Sequence, residues 1–146
     1  WIFWIRDPGS LYAAKMLAYS MQCINFVRDV EEDNILERRY LFDTKEIKYE
    51  WLIIPDKNLH IFLDAHIQNY YSYLSEAQEW VYNLPLFFRV PVLTASNMYE
   101  WTAREIKKNP WIVFEKKIKP SKLRIIFCAL RNLCIESMRG LRFTRS

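Results

Sequence analysis

Gln22, Asn25, Asp29 and Asp33 follow one another at steps of three, four and four residues, with Arg28 beside them. On a helix each residue advances about 100°. With Gln22 at zero, Asn25 lies at about 300°, Asp29 at about 340° and Asp33 at about 20°. The four therefore form one stripe roughly 80° wide. Like charges at i,i+4 cost a few tenths of a kcal/mol unless a cation sits between them. A row of two amides and two carboxylates supplies the hard oxygen ligands that Mg²⁺ takes, and Mg²⁺ is often held by only one or two carboxylates plus phosphate oxygens and water. Arg28 and the downstream Arg38, Arg39 and Tyr40 suit a phosphate. The competing reading is a solvated acidic face, which periodicity alone favours.

The elements that would position this stripe are helices. The 146-residue chain has only two glycines, Gly9 and Gly140, and six prolines. A P-loop or a dinucleotide-binding turn needs several glycines to bring backbone against phosphate, and a sandwich with many tight turns wants more as well. The length allows one domain with a real core. Ser10 is a plausible N-cap after Pro8-Gly9, opening a helix from Leu11 to about residues 32–36. A second helix is expected from Leu59 to Tyr82, capped by Asp56 or Asn58 and stopped by Asn83-Leu84-Pro85. Phe62, Leu63, Ile67, Tyr70, Leu74, Ala77 and Val81 form its apolar face. A third is expected from near Pro91 to about Lys108. A fourth should run from Ser121 to Gly140, a C′ candidate. Residues 38–58 are less regular and are read as a loop, a short helical turn and a connection through Pro55. The expected architecture is one all-α unit over residues 1–146.

Aromatic content is 16% and the net charge is +4. The first can fill a core or wall a greasy pocket, and the second permits anionic partners. Cys23, Cys128 and Cys134 lack metal-ligand or redox spacing, which fits core thiols in a reducing cytosol. No apolar run is long enough to span a bilayer. The start, "WIFWIRDPG", has no Met, no charged n-region and no cleavage site, and reads as the middle of a longer polypeptide.

"QCINFVRDVEED" followed by "RRYLF" resembles the second aspartate-rich motif of the squalene/phytoene synthase family. That pattern is Gln-x-x-Asn-x-x-Arg-Asp-x-x-x-Asp, then an arginine and Tyr-Leu-Pro. Gln22, Asn25, Arg28, Asp29, Asp33, Arg38, Tyr40 and Leu41 stand in step with it. "NMYEWTAREI" resembles the family's helix with a pocket-facing tyrosine, here Tyr99. "FEKKIKPSK" resembles the basic segment that follows, with Lys117 where relatives often carry Arg. The similarity spans about residues 11–130. Glu31 replaces a common glycine and Phe42 the usual proline. The family's earlier aspartate-rich helix has no counterpart, since no other Asp-x-x-x-Asp occurs. The resemblance therefore implies the C-terminal half of an isoprenoid-synthase-type helical bundle. Three readings follow: part of a longer protein, a chain completed by a second subunit, or a non-catalytic relative.

The resemblance implies a Mg²⁺-dependent prenyltransferase of isoprenoid and carotenoid biosynthesis. Such an enzyme joins two isoprenyl diphosphates, farnesyl or geranylgeranyl, head to head. Mn²⁺ is an alternative ion, and use of NADPH is left open. Asp29 and Asp33 would hold metal, with Asn25. Gln22, Asn25, Arg28, Arg38 and Lys117 would bind diphosphate. Tyr40 would steady phosphate or the aspartates, and Tyr99 would shelter a carbocation.

His60 and His66, six residues apart, do not share a helix face and read as ordinary histidines. The basic residues Lys116, Lys117, Lys119, Arg124, Arg131, Arg139, Arg142 and Arg145 lack the interleaved aromatics of a nucleic-acid surface. They point instead to peripheral contact with anionic lipid from the cytoplasm.

Overall fold

A computed structural model of the chain describes residues 8–36 and 57–143, all of it helices and short connections, with no strand among the described residues. The elements are α1 (Pro8–Arg28), α2 (Val30–Ile35), α3 (Lys57–Val81), α4 (Leu86–Lys108), α5 (Ile112–Glu115) and α6 (Lys122–Phe143). The expected all-α class is what the chain adopts. Arg38, Tyr40, Leu41, Phe42, Asp56 and the tryptophan-rich start lie outside the described residues.

Several boundaries differ from those read off the sequence. Helix α1 begins at Pro8, so Ser10 lies inside it and is not its N-cap. Proline suits a first turn because its missing N–H would have no helical partner there. Gly9 does not break the chain. A Cβ at Gly9 would stand 2.1 Å from the Trp80 ring, so glycine is there to let α3 approach closely. Helix α4 begins at Leu86 after Pro85, and Pro91 is inside it. The bond lost at Pro91 would have gone to the Phe87 carbonyl. Phe87 lies in the first turn of α4 and is 80% exposed as a residue. Helix α6 starts where expected: Ser121 Oγ accepts the Arg124 N–H at 3.2 Å, an N-cap bond. It continues through Gly140 to Phe143 and does not end at the glycine.

Two antiparallel helix pairs make the bundle. Tyr12 meets Glu76 and Tyr19 meets Tyr73 edge-on, so α1 runs against α3. Asn97 meets Asn132 while Trp101 meets Arg124, so α4 runs against α6. The apolar core lies where α1, α3 and α4 converge. Ile24, Val27, Leu63, Ile67, Tyr70, Ala103 and Ile106 are at most 1% exposed there. Burying a branched aliphatic of this kind contributes about 1.5–3 kcal/mol. The three- and four-residue steps on α3 put Leu63, Ile67, Tyr70, Ala77 and Val81 inside, as expected, with Leu74 partly buried. Buried hydroxyls on α1 and α4 are satisfied locally: Ser20, Thr94 and Thr102 donate to carbonyls three or four residues back. Cys128 is buried, but Cys134 is exposed and is not a core thiol.

Candidate active site

The polar stripe survives a break in its helix. The chain turns at Asp29 between α1 and α2. Even so, Asp29 N–H donates to the Asn25 carbonyl at 2.9 Å and Asp33 N–H to the Asp29 carbonyl at 2.8 Å. These i→i+4 bonds keep Asn25, Asp29 and Asp33 in helical succession. Gln22, at the start of the stripe, is exposed on α1.

Arg28 grips Asp29 with both ends of its fork. Nε donates to Oδ1 at 2.8 Å and Nη2 to Oδ2 at 2.5 Å, a charge-assisted bidentate pair. Lys117, beyond α5, reaches the same carboxylate, its Nζ 3.2 Å from Asp29 Oδ1, and also donates to Glu32 Oε2. Burial pushes the Asp29 carboxyl up, but Arg28 and Lys117 outweigh it and hold the group below the ordinary aspartate range. The Glu32 and Asp29 carboxylates in turn raise the Lys117 ammonium. The bond to Asp29 raises the Arg28 guanidinium, with a smaller contribution from Tyr99. Tyr99 therefore stands near this cluster, against the apolar core.

These groups border a cleft of about 350 Å³ between α2 and the α5 segment. Ile35, Leu36, Val113 and Phe114 give it greasy walls. Its charged lining is Arg28, Lys116 and Lys117 against Asp29, Glu31, Glu32 and Glu115. With carboxylates in the majority, a bare anion is not favoured, whereas an anion arriving with a divalent cation is. One turn before Asp29, Asn25 Oδ1 is buried with no hydrogen-bond partner among the described residues. A buried acceptor left unpaired costs about 1–3 kcal/mol, and a cation or a hydrated ion would relieve that cost. The Asn25 oxygen, with the ionised Asp29 carboxylate nearby, matches the hard-donor chemistry of Mg²⁺. Among the described residues no three acidic, His or Cys side chains assemble a metal site by themselves. Phosphate oxygens and water would have to complete the shell.

Of the residues singled out by sequence, the structure brings together Arg28, Asp29 and Lys117, with Asn25 and Tyr99 beside them. Asp33 is half-buried on α2. Arg38 and Tyr40 lie outside the described residues. Lys117 is no merely solvated lysine. Sequence reading missed Glu32, its acceptor, whose only signal was its place three residues after Asp29. It also missed Tyr70, read as plain core: its hydroxyl is buried without a partner among the described residues and is pushed up by burial, with Glu100 adding to the shift. His66 is half-buried, with burial lowering its imidazole.

A helical bundle that faces a carboxylate–guanidinium–ammonium cluster toward an apolar cleft is the architecture of an isoprenoid synthase. The family model for squalene/phytoene synthase matches residues 2–124 of this chain, and the chain belongs to that family. Its members are prenyltransferases that bind isoprenyl diphosphates and are generally Mg²⁺-dependent. Searches of curated proteins and of solved structures returned no match.

Proposed function

We propose that this chain supplies the diphosphate-binding side of a head-to-head condensation of two isoprenyl diphosphates, farnesyl or geranylgeranyl. The rest of the cavity would come from a front half bearing a second aspartate-rich helix, in the same polypeptide or in a second subunit. The observation that carries the reading is the convergence of Arg28, Asp29 and Lys117 on one greasy-walled cleft, beside an unpaired Asn25 oxygen. Family membership supports it. Three free thiols agree with a reducing, cytoplasmic setting.

When bound, Mg²⁺ would neutralise the diphosphate as it departs. Asp29, Asp33 and Asn25 would hold it. Arg28 and Lys117 are poised to move from carboxylate to phosphate, stabilising charge that grows in the transition state. Gln22, Arg38 and Tyr40 would extend that grip. Tyr99 would present its ring to a carbocation. Ile35, Leu36 and Phe114 would keep water from quenching it. Carotenoid precursors are the product class we favour.

A second reading, a non-catalytic partner subunit of the same fold, draws on one observation: Lys117 already neutralises Asp29. Two measurements separate them. Thermal melts with Mg²⁺ and a non-hydrolysable isoprenyl diphosphate analogue should show ligand-dependent stabilisation, lost in Asp29→Asn. Hydrocarbon formation after supplying a family front half should likewise vanish in that variant. Stabilisation without turnover would favour the partner subunit, and unchanged behaviour of Asp29→Asn in both assays would reject the metal role.

A further inference from the structure

Two cations serve Asp29, and they are not held equally. Arg28, the preceding residue, makes two bonds to the carboxylate, from Nε at 2.8 Å and Nη2 at 2.5 Å. Lys117 makes point contacts, 3.2 Å from Asp29 Oδ1 and onto Glu32 Oε2. A bidentate guanidinium is fixed by its geometry, whereas an ammonium is a point charge on a flexible four-carbon stem. The Lys117 side chain is 38% exposed and that of Glu32 54%. Water therefore screens both of its contacts, and either is readily exchanged. The backbone is extended at Lys116 and has no regular structure from 117 to 121. Next to Lys117, buried Ile118 anchors this segment in the apolar core. Lys117 can thus leave Asp29 by rotating its side chain, with the backbone in place.

Within this cluster two cations, Arg28 and Lys117, face two carboxylates, Asp29 and Glu32. That balance penalises either ion arriving alone. A lone Mg²⁺ at Asp29 would meet the ammonium as a like charge, and a lone diphosphate would meet both carboxylates. Arriving together they avoid both penalties. The metal takes the place of Lys117 at the carboxylates, the phosphate takes the place of the carboxylates at Lys117, and every charge keeps a partner.

We propose that Lys117 is a resident counter-cation, parked on Asp29 and Glu32, which a divalent metal displaces onto the diphosphate that accompanies it. Metal and anion then bind cooperatively, and neither binds well alone. The inference rests on the reading of the cleft as a metal–diphosphate site. It adds the form in which that site accepts its ligand, the metal complex and not the free ions, and it gives Glu32 a role as the positioning residue for Lys117.

Titration calorimetry of the full chain with Mg²⁺, with inorganic pyrophosphate and with the two together tests it. Pyrophosphate should raise the affinity for Mg²⁺ at least about ten-fold beyond their pairing in free solution, and the effect must be reciprocal. Lys117→Gln should bind Mg²⁺ alone about two- to five-fold more tightly, since the competing cation is gone. The same variant should lose most of the cooperativity. A second readout needs no binding constant. The nitrogen-15 signal of the Lys117 ammonium, assigned by its loss in Lys117→Gln or Lys117→Arg, should shift with magnesium pyrophosphate and stay in place with pyrophosphate alone. If magnesium pyrophosphate does not bind the wild type, the reading of the cleft fails and the proposal falls with it. If it binds without cooperativity, if the ammonium signal stays in place, or if Lys117→Gln keeps full cooperativity, the proposal alone is overturned and the cleft remains a diphosphate site.

Discussion

Lys117 and Asp29, 88 residues apart in sequence, meet at 3.2 Å where the segment after α5 closes on the α1–α2 turn. This contact joins the two parts of the chain that carry the family motifs. It also makes Asp29 the shared anion of two cations, and the site's pH behaviour follows from that.

Burial raises the Asp29 carboxyl, yet Arg28 and Lys117 together bring it below its ordinary value. A carboxylate depressed in the folded state contributes stability that is present above its unfolded pKa and is lost as pH falls through the folded value. Lys117 is raised, so its contribution is complete below the ordinary lysine pKa and is lost as pH climbs through the folded value. Melting temperature should therefore decline on both limbs. Asp29→Asn should flatten the acid limb relative to wild type, and an unchanged acid limb would refute the assignment. Lys117→Gln should cost less than about 1 kcal/mol, because the ammonium is partly solvated.

Asn25→Leu should separate ligand binding from stability. Removing an unpaired buried carbonyl relieves a cost of about 1–3 kcal/mol, so the ligand-free variant should melt no lower than wild type. It should lose the stabilisation that Mg²⁺ and a diphosphate analogue confer. A clear drop in the ligand-free melting temperature would mean that Asn25 has a structural partner.

Gly9→Ala should destabilise the protein, against the usual gain of about 1 kcal/mol for alanine within a helix. The added methyl would meet the Trp80 ring, and overpacking of this kind costs about 1–3 kcal/mol. The double variant with Trp80→Leu should recover much of the loss. Thermal melts of the two single variants and the pair decide the matter through their coupling.

Glu136→Ala should cost about 3 kcal/mol or more. The carboxylate is almost fully buried, and Arg89 Nε stands 3.3 Å away on α4, within ion-pair range but not aligned as a hydrogen bond. Losing the carboxylate leaves that half-buried guanidinium with the Tyr82 carbonyl alone among the described residues, to which its Nη1 donates at 3.0 Å. Arg89→Met with Glu136→Leu should restore stability, since apolar residues commonly replace a buried pair without loss. If the double variant is worse than Glu136→Ala, the pair is not coupled in this way.

Much of this was legible in the residue order, and what was not had definite physical causes. The spacing of Leu63, Ile67, Tyr70 and Ala77 gave the inner face of α3, because one continuous apolar stripe must be buried. Ser121 was read as the start of α6, and its hydroxyl proves to cap it. Pro91 misled, because proline suits a first turn and here stands beyond it. Gly140 misled because a glycine can end a helix or simply sit in one. The motif placed Arg28 and Asp29 together. The partnership of Lys117 with Glu32 could not be read from local spacing, since it depends on tertiary closure of α5 on α2. The polar inner face of α6 was also hidden: Asn132 and Glu136 look like surface residues until Thr94, Asn97 and Arg89 are known to face them.

That seam between α4 and α6 has one more consequence. Grease packed on grease tolerates rotation, because one methyl replaces another with little change. Here Asn132 donates to Thr94 Oγ1 at 3.2 Å and accepts from Asn97 at 3.3 Å, while Glu136 answers Arg89. Rolling α6 about its axis by a single residue would strand all of these at once. The helix is therefore keyed to one azimuth, and its oily side cannot turn inward to hide when nothing outside is there to cover it.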